Sequence, residues 1–207
     1  NGNHVLSPFV GISDGFTSGA IINPAVAEKL AGLSGFKSTS FNVLDELKFK
    51  NKVLFEYTNQ GGNVIVQYNT TNNLLTNNLA PYSILLSRDR VTNENAEVKF
   101  LQPNHPVLNS PNKITSKDFE GWVQERGLYF PNKWDNEFIP ILAMHDNGEE
   151  ETKGSLLIAK YGKGNYIYTG ISFFRELPEG VSGAYRLLSN IISLKSPVVL
   201  PAQLVKP

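Results

Sequence analysis

The residues best suited to chemistry lie in one stretch, from Pro103-Asn104-His105-Pro106 to Gly121-Trp122-Val123-Gln124-Glu125-Arg126 and Gly127-Leu128-Tyr129-Phe130. Imidazole, indole, amide, carboxylate, guanidinium and phenol side chains share it, with Pro and Gly at both ends. Core segments avoid such a mixture because buried charge is costly unless paired. Loops that shape sites use it. Two chemistries follow. His105 and Glu125 are the candidates for acid and base work on a substrate. Trp122 could offer its face to a sugar ring while Gln124, Glu125 and Arg126 bond hydroxyl groups. The plainer readings are that His105, between two prolines, bonds its own turn, and that Glu125 and Arg126 hold a loop as an ion pair.

Other candidates are placed by the elements around them. Asn63–Tyr68 (NVIVQY) reads as a β-branched strand after a Gly61-Gly62 stop, so Tyr68 and Asn69 fall at its C-terminal end, where open α/β sheets bind ligands. Arg175 follows the last strand and could face the same edge. Arg88-Asp89-Arg90, His145-Asp146 and Glu149-Glu150-Glu151 read as solvated charges; neighbours on a strand end point apart, so His145 and Asp146 make no dyad.

Several chemistries are excluded. The chain has no cysteine and 3 histidines, so thiolate nucleophiles, disulfides and a multi-histidine zinc centre are not expected. Gly162-Lys163-Gly164 lacks the spacing of a phosphate loop and suits a hairpin turn. No metal and no cofactor are expected.

Around these residues the pattern predicts alternating elements. Asn23-Pro24 starts a helix with Val26, Leu30 and Leu33 on one face, ended by Gly35. Residues 36–41 suit a short strand. A second helix starts at Asn42, with Asp45 and Glu46 in its first turn. Residues 70–81 are an Asn/Thr loop. Further strands are expected at 98–101 and 139–144, a short helix at Ser116 with Phe119, Trp122 and Val123, and a hairpin over 155–171. Ser182 opens a closing helix with Ala184, Leu187, Leu188, Ile191 and Ile192 at helical spacing.

At 207 residues, 41% hydrophobic and 18% charged, the composition predicts one medium globular domain over 1–207, with 195–207 an extended tail. Formal net charge is zero, so neither nucleic acid nor an anionic membrane is an expected partner. No apolar run approaches the ~20 residues of a membrane helix. Residues 1–8 lack a signal-peptide layout, which predicts a mature protein or an excised domain. The cysteine-free, Asn-rich composition suits an exported, periplasmic bacterial protein.

GGNVIVQYNT at 61–70, NHPVLNSPNKI at 104–114, DFEGWVQERGLYFP at 118–131 and GSLLIAKYGKGNYIYTGISFFRELPEGVSGAYRLLSNII at 154–192 resemble one family. It is the C-terminal class I glutamine amidotransferase-like domain of large bacterial LmbE/PIG-L-type deacetylases; more distantly, the chain is similar to the ThuA-like branch. The resemblance covers about 42–194; residues 1–41 match poorly. It implies an α/β, flavodoxin-like three-layer sandwich, a mostly parallel sheet with helices on both faces, to which the residues add an antiparallel hairpin near one edge. Active members carry Gly-x-Cys-x-Gly at the turn that here reads Gln67-Tyr68-Asn69-Thr70, and a His late in the chain. This chain has neither, so the usual glutaminase route is closed. Asn104-His105-Pro106-Val107 lacks the acids of the deacetylase zinc motif.

The expected function is therefore a non-catalytic accessory domain. It would bind a carbohydrate-type ligand through Tyr68, Asn69, His105, Trp122, Gln124, Glu125, Arg126 and Arg175, or pack on a catalytic deacetylase domain of the same parent protein. The alternatives are an atypical hydrolase acting on a carbohydrate through His105 and Glu125, and a purely structural module.

Overall fold

The computed structural model describes residues 9–11, 51–67, 69 and 79–194. The helix expected at Asn23-Pro24, the strand at 36–41, the start of the second helix at Asn42 with Asp45 and Glu46, most of the loop at 70–81, Tyr68 and the tail at 195–207 lie outside the described residues.

The main sheet has five strands: β1 (Phe9–Gly11), β2 (Asn63–Gln67), β6 (Phe138–Pro140), β8 (Leu156–Tyr161) and β9 (Gly164–Thr169), in the order β1-β2-β9-β8-β6. β1 and β9 flank β2 in parallel; β8 runs antiparallel to both β9 and β6. Two antiparallel ribbons complete the strands. β3 (Ile84–Val91) pairs with β5 (Gly127–Trp134), and β4 (Val98–Phe100) with β7 (Leu142–Met144).

This corrects the flavodoxin-like, mostly parallel sandwich. Among the described residues antiparallel pairings outnumber parallel ones; the expected hairpin forms, with β8 one strand in from the edge strand β6. The physical reason lies in the connections. Parallel neighbours need a long crossover, whereas a two-residue turn forces antiparallel pairing. Gly162, at φ 58°, makes such a turn, and a Cβ there would meet Asn59 Oδ1 at 1.9 Å. Likewise the chain from 79 to 144 builds ribbons instead of returning through a helix.

Alternation along the central strands fills both faces. Ile65, Ile158 and Ile167 point to one side, where helix α3 (Ser182–Ile192) lays Ala184, Leu187 and Ile191 beside Phe119, Trp122 and Phe130. Val64, Val66, Leu157, Ala159, Tyr166 and Tyr168 face the other, against Leu54 of α1 (the helix described over 51–59) and Ile84 and Leu86 of β3. The strand expected over 139–144 divides at Ile141, which joins Leu101 and Leu156 by main-chain bonds and lets β6 and β7 serve different sheets. The helix expected at Ser116 is one 3-10 turn, Ser116–Phe119, with a capping box between Thr115 and Asp118; it ends before Trp122. A short α2 (Phe173–Glu176) follows β9 directly.

Candidate functional site

Segment 121–129 reaches the sheet just beyond the C-terminal end of β9. Leu128 N–H donates to Gly170 O at 3.0 Å and Gly127 bridges Ile171. Since β9 runs parallel to β2, this is the edge at which Asn69 lies, following Gln67 opposite Thr169. Glu125, Arg126, Arg175 and Asn69 are thus gathered at one edge. Tyr68 lies outside the described residues.

The geometry assigns these groups internal partners. Glu125 is buried and receives Arg175 Nε on Oε1 at 2.5 Å. Arg126 is 4% exposed. Its Nε and Nη2 donate to Ala96 O at 3.1 and 2.8 Å, and its Nη1 donates to Phe119 O at 2.6 Å. The guanidinium also lies over the Phe119 and Trp122 rings, 5.6 and 5.4 Å from their centroids. Burial pulls its pKa down to about 10, against the attraction of Glu176 and Glu94. Trp122 is also 4% exposed, stacked on Phe119 at 5.4 Å, with Nε1 donating to Asp118 O at 2.9 Å. A ring so covered has no face to give a sugar. Gln124 is exposed and sits in the left-handed region at φ 65°. Asn69 is fully buried: Nδ2 reaches Gln67 O only at 3.5 Å and Oδ1 has no partner among the described residues.

His105 stands apart. It caps the 3-10 turn Pro106–Leu108, its Nδ1 accepting from Val107 N–H at 3.1 Å, and Asn190 of α3 donates to Val107 O at 2.8 Å. Burial, with some repulsion from Lys160, holds the imidazole below its usual pKa. Among the described residues no hydrogen bond or ion pair joins His105 to Glu125, Arg126 or Arg175. Nor does any group of three His, Asp or Glu among them sit close enough to hold a metal.

Two open grooves flank this framework. The smaller, about 320 Å³, is lined by Asn95, Glu97, Ser116, Phe119, Glu120 and Arg126. The larger, about 500 Å³, combines the half-buried Trp134 with Asn132, Asp89, Glu149, Glu150 and Lys153. Its walls are held firmly. Gly154 lets the chain press on β5 so closely that a Cβ there would lie 2.0 Å from Pro131 O. Thr152 and Met144 exchange main-chain bonds at 2.9 and 3.0 Å. Glu151 takes Lys99 at 2.7 Å and Lys153 at 3.9 Å. Glu149 and Glu150 are exposed, and neither has an ion pair among the described residues. In the sequence Asp89 read as a solvated charge within Arg88-Asp89-Arg90, and Trp134 fits no motif. Both come to line one groove because β3 and β5 pair across bulges between Leu85 and Val91.

No protein-family model matches the chain, and no curated protein matches it. Among solved structures it is similar to the cytoplasmic protein STM1381 of Salmonella typhimurium LT2 (11% identity, TM-score 0.44, 70% of this chain and 60% of that one). It is also similar to the cytoplasmic protein STM3548 of Salmonella typhimurium (16% identity, TM-score 0.45, 82% of this chain and 65% of that one). The chain therefore spans less than two thirds of the length of either, and likeness at this level lends no argument to function. No helix among the described residues is long and apolar enough to cross a membrane.

Proposed function

We propose that this chain is a non-catalytic, carbohydrate-binding accessory domain and that its ligand lies in the Trp134 groove. The observation that carries the reading is the pairing there of a half-buried indole, one side of which packs on the core, with amide and carboxylate groups in an open cleft of about 500 Å³. Small-molecule sites combine a few placed polar groups with an apolar wall at this scale, about 300–1,000 Å³. A pyranose has an apolar face for the ring of Trp134, and its hydroxyls can donate to Asp89, Glu149 and Glu150 and bond Asn132.

The hydrolase alternative draws less support. Its two groups, His105 and Glu125, are each committed: Nδ1 of one to Val107 N–H, the carboxylate of the other to Arg175. Kinship with the amidotransferase-like domains of LmbE/PIG-L-type deacetylases, a catalytic deacetylase domain in the same parent protein and an exported location belong to this reading. They rest on the matching segments and the cysteine-free composition.

The test is a glycan-array screen followed by titration of hits on the wild type and Trp134→Ala. Binding that Trp134→Ala removes while Trp122→Phe keeps it supports the groove. Binding lost only on changing Arg126 or Arg175 moves the site to the strand edge, and no binding to any glycan removes the carbohydrate reading.

A further inference from the structure

The turn that carries Glu125 and Arg126 is strained. Gln124 has φ 65°, and Glu125 N–H closes on Val123 O at 2.7 Å, the i to i+2 bond of a γ-turn with a left-handed centre. That conformation is rare and costly for a residue with a Cβ, and it persists where neighbours over-determine it. The neighbours here come from Ser172 and α2. Val123 N–H donates to both oxygens of Glu176, at 3.1 and 3.4 Å. Ser172 Oγ donates to Glu125 O at 2.7 Å, Ser172 N–H donates to Arg126 O at 3.1 Å, and Arg175 grips the Glu125 carboxylate.

Glu176 is 0% exposed, and its hydrogen bonds pose a counting problem. Val123 N–H is one donor. The other neighbour is Ser172 Oγ, 3.5 Å from Oε1. Serine has one hydroxyl proton, and the much shorter contact to Glu125 O takes it. A bond between Ser172 and Glu176 therefore needs its proton from Glu176. Neither arginine forms an ion pair with this carboxyl: Arg175 is on Glu125, and Arg126 is on the carbonyls of Ala96 and Phe119.

We propose that Glu176 is a protonation-gated clasp: fully buried without an ion pair, it sits on Val123 N–H as a neutral acid and keeps the strained Gln124 turn shut, and on ionisation the carboxylate is drawn toward water and the turn loosens. Burial pushes the carboxyl up to about 7; Val123 N–H and Arg126 pull against that rise, and Glu125 adds to it. The charged groups that bear on it are Arg126 and Glu125 from the turn and Arg175 from α2, with Glu94 acting on Arg126. An acid raised in the folded state adds stability that is complete below its ordinary pKa, 4.5, and lost as pH rises through about 7. Gly121 and Arg126, which line the smaller groove, flank this turn, so the same proton governs that wall.

Glu176→Gln tests this, since its amide can donate to Ser172 as the neutral acid does. Melting temperature is followed from about pH 5 to about pH 8 in both proteins, with hydrogen-exchange protection of 121–126 corrected for the intrinsic rate. The wild type should lose several degrees more than the variant over that range, and its protection should fall severalfold while the variant's stays constant. Parallel profiles in the two proteins overturn the proposal. If Glu176→Gln does not fold, carbon NMR of the wild-type Glu176 carboxyl decides: titration near neutral pH supports the clasp, and titration in the ordinary carboxylate range refutes it.

Discussion

Trp122→Phe separates a ligand-contacting ring from a framework ring. The indole N–H is the donor to Asp118 O at 2.9 Å, inside a cluster where Trp122 is 4% exposed. Phenylalanine keeps a ring against Phe119 but has no donor. Leaving a buried carbonyl unpaired costs about 1–3 kcal/mol, and the space left by the smaller ring adds about 1 kcal/mol. The total of about 2–4 kcal/mol corresponds to about 4–16 °C, at about 2–4 °C per kcal/mol for a chain of this size. Thermal unfolding followed by circular dichroism reads the shift. The chain has 2 tryptophans, so the variant leaves Trp134 as sole indole reporter of the larger groove. A shift under about 2 °C, against the several expected from an orphaned carbonyl, would refute the reasoning. A simultaneous loss of glycan binding would return Trp122 to the ligand.

Trp134→Ala should remove glycan-induced fluorescence and binding and lower the melting temperature by several degrees without unfolding the protein, since this ring is half-buried against the core; a collapse of the fold would make it a packing residue alone. Asn190→Ala should lower stability by about 3 kcal/mol in urea unfolding, because a fully buried amide that serves Val107 O, Asn112 O and Asn112 N–H is lost; a change under about 1 kcal/mol would contradict this. Gly154→Ala should cost about 1–3 kcal/mol and loosen the 149–153 wall, because the added methyl would stand 2.0 Å from Pro131 O; unchanged urea unfolding would show that the chain yields without cost. Asp146, on which burial acts upward, is drawn lower overall by bonds from the Thr92 hydroxyl and the Asn93 and Thr92 amides, with Arg90 nearby. Its stabilisation should be present above the usual carboxylate range and lost as pH falls through the lowered value. Asp146→Asn should therefore flatten that part of the acid-stability profile, and an unchanged profile would show that the bonds contribute nothing.

What the sequence determined by itself was local. A β-branched run after Gly61-Gly62 had to be a strand, and it is β2; Gly162-Lys163-Gly164 between apolar runs had to be a tight turn, and it joins β8 to β9. The apolar spacing from Ala184 to Ile192 specified α3 to within its ends. These features depend on backbone preference and side-chain period over a few residues. Strand direction and order do not: nothing in 155–171 says which strands its hairpin will lie between, since several orders bury the same faces. Only the tertiary structure decided that β9 lies beside β2, which in turn placed Glu125, Arg126 and Arg175 beyond the same strand ends. The roles of those residues were equally non-local. Arg126 looked available in the sequence, but its donors are taken by carbonyls of Ala96 and Phe119, and Ala96 is distant along the chain. His105 was legible as a turn residue because Val107, its partner, is two positions away. Trp134 and Asp89 could not be foreseen as neighbours, because a groove between paired strands and a distant loop exists only once long-range pairing has fixed its register.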